Sequence, residues 1–205
     1  MLKYPFLLGI CCFFSACLLG QTPIVMSSQS SYTYTENFDS IANWTFKTNP
    51  SSDGSFISGK GAACWKGNVT QSSGTIPDGK KITISSTSFV TGTSGGLQRG
   101  AGSLVLLATG STDSTSAIAF DFYADFTNLN SGTLSFDWSS VNNSSGDRKA
   151  TLKVYTSIDG ISYNELAGAQ VLNFTNNVLT TGSITNISLP SSFNGSSTAR
   201  IRFYL

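Results

Sequence analysis

Gly132-Thr-Leu-Ser-Phe-Asp-Trp-Ser139 puts Leu134, Phe136 and Trp138 on one side of an extended chain, with Ser135 and Asp137 on the other. Successive side chains of a strand point to opposite faces, so this alternation makes a half-buried β-strand with an aromatic core face. The pattern recurs in Ala150-Thr-Leu-Lys-Val-Tyr-Thr-Ser157, where Leu152 and Val154 turn inward while Lys153 and Tyr155 turn outward. It recurs again in Ala199-Arg-Ile-Arg-Phe-Tyr-Leu205, where Ile201, Phe203 and Leu205 alternate with Arg200, Arg202 and Tyr204.

Working outward, β-branched and aromatic runs between Gly, Asn, Asp and Ser clusters predict further strands. They lie near Tyr34 to Phe38, Ala62 to Lys66, Lys81 to Ser85, Leu104 to Thr109 and Ala117 to Ala124, then near Ser162 to Leu166, Val171 to Phe174 and Ser183 to Leu189. No stretch sustains a helical period. Short strands without intervening helices predict an all-β, two-sheet antiparallel β-sandwich and not a βαβ fold. Asp159-Gly160, between two such strands, predicts a tight type I′ hairpin, because both residue types tolerate positive φ. No turn signal follows the last strand, which reads as an apolar edge awaiting a partner and suggests C-terminal truncation with a closing strand missing.

The chain has 205 residues, 40% hydrophobic, which suits one domain with a real core. Only 11% of residues are charged, and Ser, Thr and Asn together make up about a third. Histidine is absent, which removes the Ser-His and Cys-His nucleophile pairs and the commonest general base. Lys3 and the apolar run from Tyr4 to Leu19 read as a secretory signal peptide over residues 1–20, cut between Gly20 and Gln21. Phe14-Ser-Ala-Cys17 offers a competing lipobox reading, with Cys17 acylated, and a retained membrane anchor is a third. Residues 21–33 read as a flexible Ser-rich lead-in, and 34–205 as the sandwich domain.

Cleavage removes Lys3 and no acid, so 12 basic against 11 acidic residues become 11 against 11. The longest basic runs are Lys80-Lys81 and Arg148-Lys149, too short to track a phosphate backbone, so no nucleic-acid partner is expected. Cleavage also removes Cys11, Cys12 and Cys17, leaving Cys64 as a buried small hydrophobe and no internal disulfide.

Glycoside hydrolysis needs paired carboxyl groups across the scissile bond. The only glutamates are Glu36 and Glu165, and Asp121, Asp125 and Asp137 do not complete an E-x-D-x-x-E strand motif. The many serines have no histidine to activate them. The chain reads as non-catalytic. Sugar binding would use exposed rings as stacking surfaces, for which Trp44, Trp65, Tyr123, Tyr155 and Tyr163 are candidates. Tyr155 ranks first because Leu152 and Val154 set its register outward, and Trp138 is core. Asn-x-Ser/Thr sequons at Asn43, Asn68, Asn142, Asn143, Asn173, Asn186 and Asn194 follow from composition, and the loop from Asn142 to Asp147 reads as a hairpin turn. Asp39-Ser-Ile and Asp113-Ser-Thr are three-residue matches to bacterial O-glycosylation sites.

Thr35-Glu-Asn-Phe-Asp39 with Trp44, then Gly132 to Trp138, then Lys153-Val-Tyr-Thr-Ser-Ile-Asp-Gly160 with Tyr163-Asn-Glu-Leu166, resemble concanavalin-like jelly-roll modules. These are the adhesin and choice-of-anchor type, found in secreted bacterial multidomain proteins of the type IX secretion cargo kind and often appended to hydrolases or nucleases. The resemblance spans residues 34–205. It implies a jelly roll, adhesion or binding of a surface glycan or cell-surface component, and other domains of the same parent protein as partners. It also implies a structural calcium near Glu36 and Asp39, whose hard oxygens suit that ion. The expectation is a secreted, extracellular, non-catalytic module, with no membrane span after signal cleavage. A structural spacer or assembly module, or an accessory domain of a hydrolase or nuclease, is the alternative.

Overall fold

A computed structural model of the chain describes residues 21–44, 62–70, 84–91, 96–107, 117–143, 145 and 149–205. The signal segment with Cys17, the first residues of the strand expected from Lys81, the end of the one expected to Thr109, and the Asp113 run lie outside the described residues.

The described residues form a strand-rich sandwich. Its main sheet contains β1 (Ile24–Val25), β2 (Trp65–Thr70), β6 (Ala117–Asp125), β8 (Lys149–Ser157), β9 (Asn164–Thr175) and β11 (Ala199–Tyr204). Their order is β1-β6-β11-β8-β9, with β2 pairing β6 on the same edge that β1 uses further along. A second layer comprises the ribbon β7 (Thr133–Ser139) and β10 (Thr181–Ser188), and the three strands β3 (Ile84–Ser88), β4 (Gly96–Arg99) and β5 (Leu104–Leu107). Most pairings are antiparallel, as expected; β1 with β6 and β3 with β4 are short parallel exceptions.

The aromatic alternation read from the sequence builds the core between the layers. Phe136 of β7 meets Phe203 of β11 edge-on at 5.2 Å, and Trp138 approaches Phe174 of β9 at 6.1 Å. Trp65 stacks on Phe120 at 4.4 Å, and Tyr34 on Phe122 at 5.0 Å. Such ring pairs contribute roughly 0.5–1.5 kcal/mol each beyond their buried area. Gly182 sits opposite Trp138, and any Cβ there would lie 2.9 Å from the indole, so the ring lies flat only across a glycine.

Four expectations are corrected. The last strand is no open edge: β11 lies between β6 and β8, and Leu205 extends the ladder through bonds to Ile118 of 2.9 and 3.1 Å. A central position accounts for its apolar alternation. The lead-in 21–33 is docked: Ile24 and Val25 pair with Ala124 and Asp125, Met26 is buried, and Gln21 donates to the Trp65 carbonyl at 2.7 Å. The stretch from Tyr34 to Phe38 is not a strand, because Phe38 adopts φ +55° and Glu36 Oε1 accepts from its N–H at 3.0 Å, curling the segment. The segments expected at Ser162 to Leu166 and Val171 to Phe174 are one strand, β9, whose register slips at Gly168 and Asn173, both at positive φ.

The β8–β9 turn also differs from the two-residue form. Of Asp159 and Gly160, only Gly160 has positive φ, at +74°, and residues 158–163 form a longer loop. Asp159 Oδ1 accepts from the N–H groups of Ile161 and Ser162, both at 2.8 Å, and from the Ser157 hydroxyl at 2.9 Å. The side chain thus mimics a backbone turn.

Candidate functional site

The register of the four central strands sets one row across the outer face of the main sheet. Asp121 of β6 faces Arg202 of β11, which faces Tyr155 of β8, which faces Glu165 of β9. On the far side of Asp121 the row begins with Lys66 of β2. These positions alternate with the core residues Phe120, Phe122, Ile201, Phe203 and Val154, so the same period that builds the core assembles the row.

Its centre is closed to solvent. Arg202 Nε and Nη2 donate to Asp121 Oδ1 and Oδ2, both at 2.7 Å, a fork that matches the carboxylate plane. The pair is 3% and 1% exposed. Burial alone disfavours the Arg202 cation, yet the bond and charge of Asp121 outweigh it and hold the guanidinium above its ordinary pKa. Tyr163, rising from the β8–β9 loop, lays its ring 3.9 Å from the Arg202 guanidinium carbon. Arg200 covers Tyr123 in the same way at 5.2 Å. Burial first, and then the charge of Asp121, push the phenols of Tyr123 and Tyr163 upward, so both stay neutral.

Towards β9 the row opens. Tyr155 is partly exposed, with Tyr204 edge-on at 5.8 Å and 83°. Beside it, Lys153 Nζ donates to Glu165 Oε2 at 2.7 Å, and the two side chains are 33% and 39% exposed. The bond to Glu165 holds the Lys153 ammonium above its ordinary pKa. This end of the row offers an apolar ring, a cationic donor and an anionic acceptor to solvent.

Of the expected sugar-binding residues, Tyr155 is the one that stands beside this solvent-facing ion pair. Trp44 is 2% exposed and packed at 5.9 Å from Phe38, with its Nε1 donating to Ser40 Oγ, so it is core and not a stacking surface. The reason is the single 3₁₀ turn Ile41–Asn43, which swings Trp44 inward. Tyr163 is spent on Arg202, Tyr123 on Arg200, and Trp65 is buried. Ser40 of the Asp39 glycosylation match is half-buried beneath Trp44. Among the sequon asparagines, Asn43, Asn142, Asn173, Asn186 and Asn194 are exposed.

Glu36 and Asp39 are engaged in local hydrogen bonds. Glu36 Oε2 accepts from Tyr34 Oη at 2.9 Å and Oε1 from the Phe38 N–H, while Asp39 Oδ2 accepts from Asn37 Nδ2 at 2.6 Å. No group of three His, Cys, Asp or Glu comes together among the described residues. Tyr34 Oη is a hub, also accepting from Trp65 Nε1 at 3.1 Å and from the Cys64 thiol at 3.8 Å. Cys64 is buried, and burial pushes its thiol up to about 11 against the lowering effect of the Tyr34 bond.

The Asp121–Arg202 and Lys153–Glu165 pairs went unread in the sequence. The available signal was charge at outward positions of strands, but only the strand order shows which charges meet. No helix among the described residues is long and apolar enough to cross a membrane. No family model matches the sequence, and no curated protein and no solved structure is similar to the chain.

Proposed function

We propose that the protein is a secreted, non-catalytic β-sandwich module that binds a surface glycan and so mediates adhesion for a larger extracellular protein. One observation carries this reading: Tyr155, partly exposed on the outer face of the main sheet, stands beside the solvent-facing Lys153–Glu165 pair. A ring flanked by a donor and an acceptor suits a sugar, which has an apolar face and a rim of hydroxyls. The lack of histidine and the equal count of opposite charges in residues 21–205 support a surface that binds over one that reacts.

The test is retention of the chain from Gln21 to Leu205 on a polysaccharide panel and a glycan array, repeated with Tyr155→Ala. Binding that weakens by about tenfold or more in the variant, equivalent to ~1.4 kcal/mol, supports the reading. Absence of binding to every glycan and cell surface overturns it.

A further inference from the structure

Lys153 and Glu165 are joined to each other, yet each keeps capacity to spare. An ammonium has three donors, and one is spent on Glu165 Oε2. A carboxylate accepts at both oxygens, and Oε1 remains for another donor. Donor and acceptor therefore stand side by side, 2.7 Å apart, on adjacent strands. Two neighbouring hydroxyls of a sugar ring in gauche arrangement are also at about hydrogen-bonding separation, and each can donate and accept. One hydroxyl fits as acceptor to Lys153 Nζ while the other donates to Glu165 Oε1, closing a ring of bonds around the ion pair.

Charge and ring geometry narrow the ligand further. The pair is neutral as a unit, so it draws no anion; a ligand carboxylate would meet Glu165 with Lys153 already compensated. Tyr155 lies opposite Glu165 in the β8–β9 register, so its ring is within reach of the C–H face of the same sugar. The rings of Tyr155 and Tyr204 meet at 83° and cannot form one flat shelf for a polymer lying along two rings. Contact is with one sugar residue.

Building on the glycan-binding reading, we infer that Tyr155, Lys153 and Glu165 form a subsite for a neutral saccharide, gripped through a vicinal diol, with Lys153 and Glu165 setting specificity.

The test compares neutral polysaccharides whose residues carry vicinal diols (soluble starch, mannan, dextran) with anionic ones (alginate, polygalacturonate) by affinity electrophoresis. Wild-type protein should bind a neutral polysaccharide and lose it after that ligand is oxidised with periodate, which cleaves vicinal diols. This arm needs no variant and is immune to misfolding. Lys153→Met and Glu165→Gln should each weaken binding about tenfold while keeping the wild-type melting temperature. Binding that needs Tyr155 but survives both substitutions or periodate overturns the diol inference and leaves glycan binding standing. Preference for alginate or polygalacturonate does the same. Absence of binding to any glycan overturns both.

Discussion

Asp121 and Arg202 face each other on neighbouring central strands, joined by two bonds of 2.7 Å and almost wholly withdrawn from water. Breaking such a pair strands a charge in the interior, typically at about 3–5 kcal/mol, whereas replacing both partners with apolar groups is often near neutral. Asp121→Leu and Arg202→Met are each expected to destabilise on that scale in urea, and the two together to recover most of the loss. A double variant as unstable as the sum of its singles would show that the two charges act separately.

Gly160 serves two needs at once. Its φ is +74°, and a Cβ there would overlap the Arg200 guanidinium. Gly160→Ala is therefore expected to lower the melting temperature. In an Arg200→Ala background the loss should shrink to the backbone share, of order 1–2 kcal/mol for a left-handed non-glycine residue. An equal loss in both backgrounds would remove the steric half of the explanation.

Trp44 and Tyr155 should separate core from surface. Trp44→Ala is expected to cost about 3–5 kcal/mol, the range for deleting a buried large aromatic, and Tyr155→Ala far less. Chemical denaturation of the two variants decides it, and a Tyr155→Ala variant that unfolds like Trp44→Ala would return Tyr155 to the core.

Asp159 couples the β8–β9 loop to pH. Bonds from the Ile161 and Ser162 N–H groups, with the Ser157 hydroxyl, hold its carboxyl down at about 2, against about 3.9 for a free aspartate. A depressed folded pKa contributes stability that is present above the unfolded value and lost as pH falls through the folded one. The stability advantage of wild type over Asp159→Asn should be constant above about pH 5 and shrink from about pH 4 to about 2. A constant difference down to pH 2 would contradict the assignment.

Cys64 should be inert while the protein is folded. With its thiol at about 11 and its side chain buried, it is expected to react with Ellman's reagent at pH 8 only after denaturation. Rapid labelling of native protein would place it at the surface.

The period-2 face assignment was legible because it is local: Leu134, Phe136 and Val154 point where their alternation says, and so does Tyr155. What escaped reading was set by long-range order. Arg202 alternates outward like any solvated strand charge, yet it is buried because Asp121, 81 positions away, lies opposite and Tyr163 folds over it. Trp44 looked like a ring available to ligand, since nothing in its neighbours announces the 3₁₀ turn that buries it. The segment 21–33 is polar and aperiodic, and its docking rests on two residues, Ile24 and Val25, too few to carry a strand signal. At the candidate site, Tyr155 was readable from alternation alone, whereas its neighbour Glu165 depends on a register broken by the bulge around Gly168.

The central place of β11 also dictates a timetable. β6 and β8 never touch as partners; each pairs with residues 199–204, so the two halves of the main sheet stay unzipped until that segment arrives. A chain emerging from its N-terminus first carries the β6 flank bare from residue 125 and the β8 flank bare from residue 157, both until residue 199. Closure of such distant pairs is slow, and exposed flanks invite misassembly in the meantime.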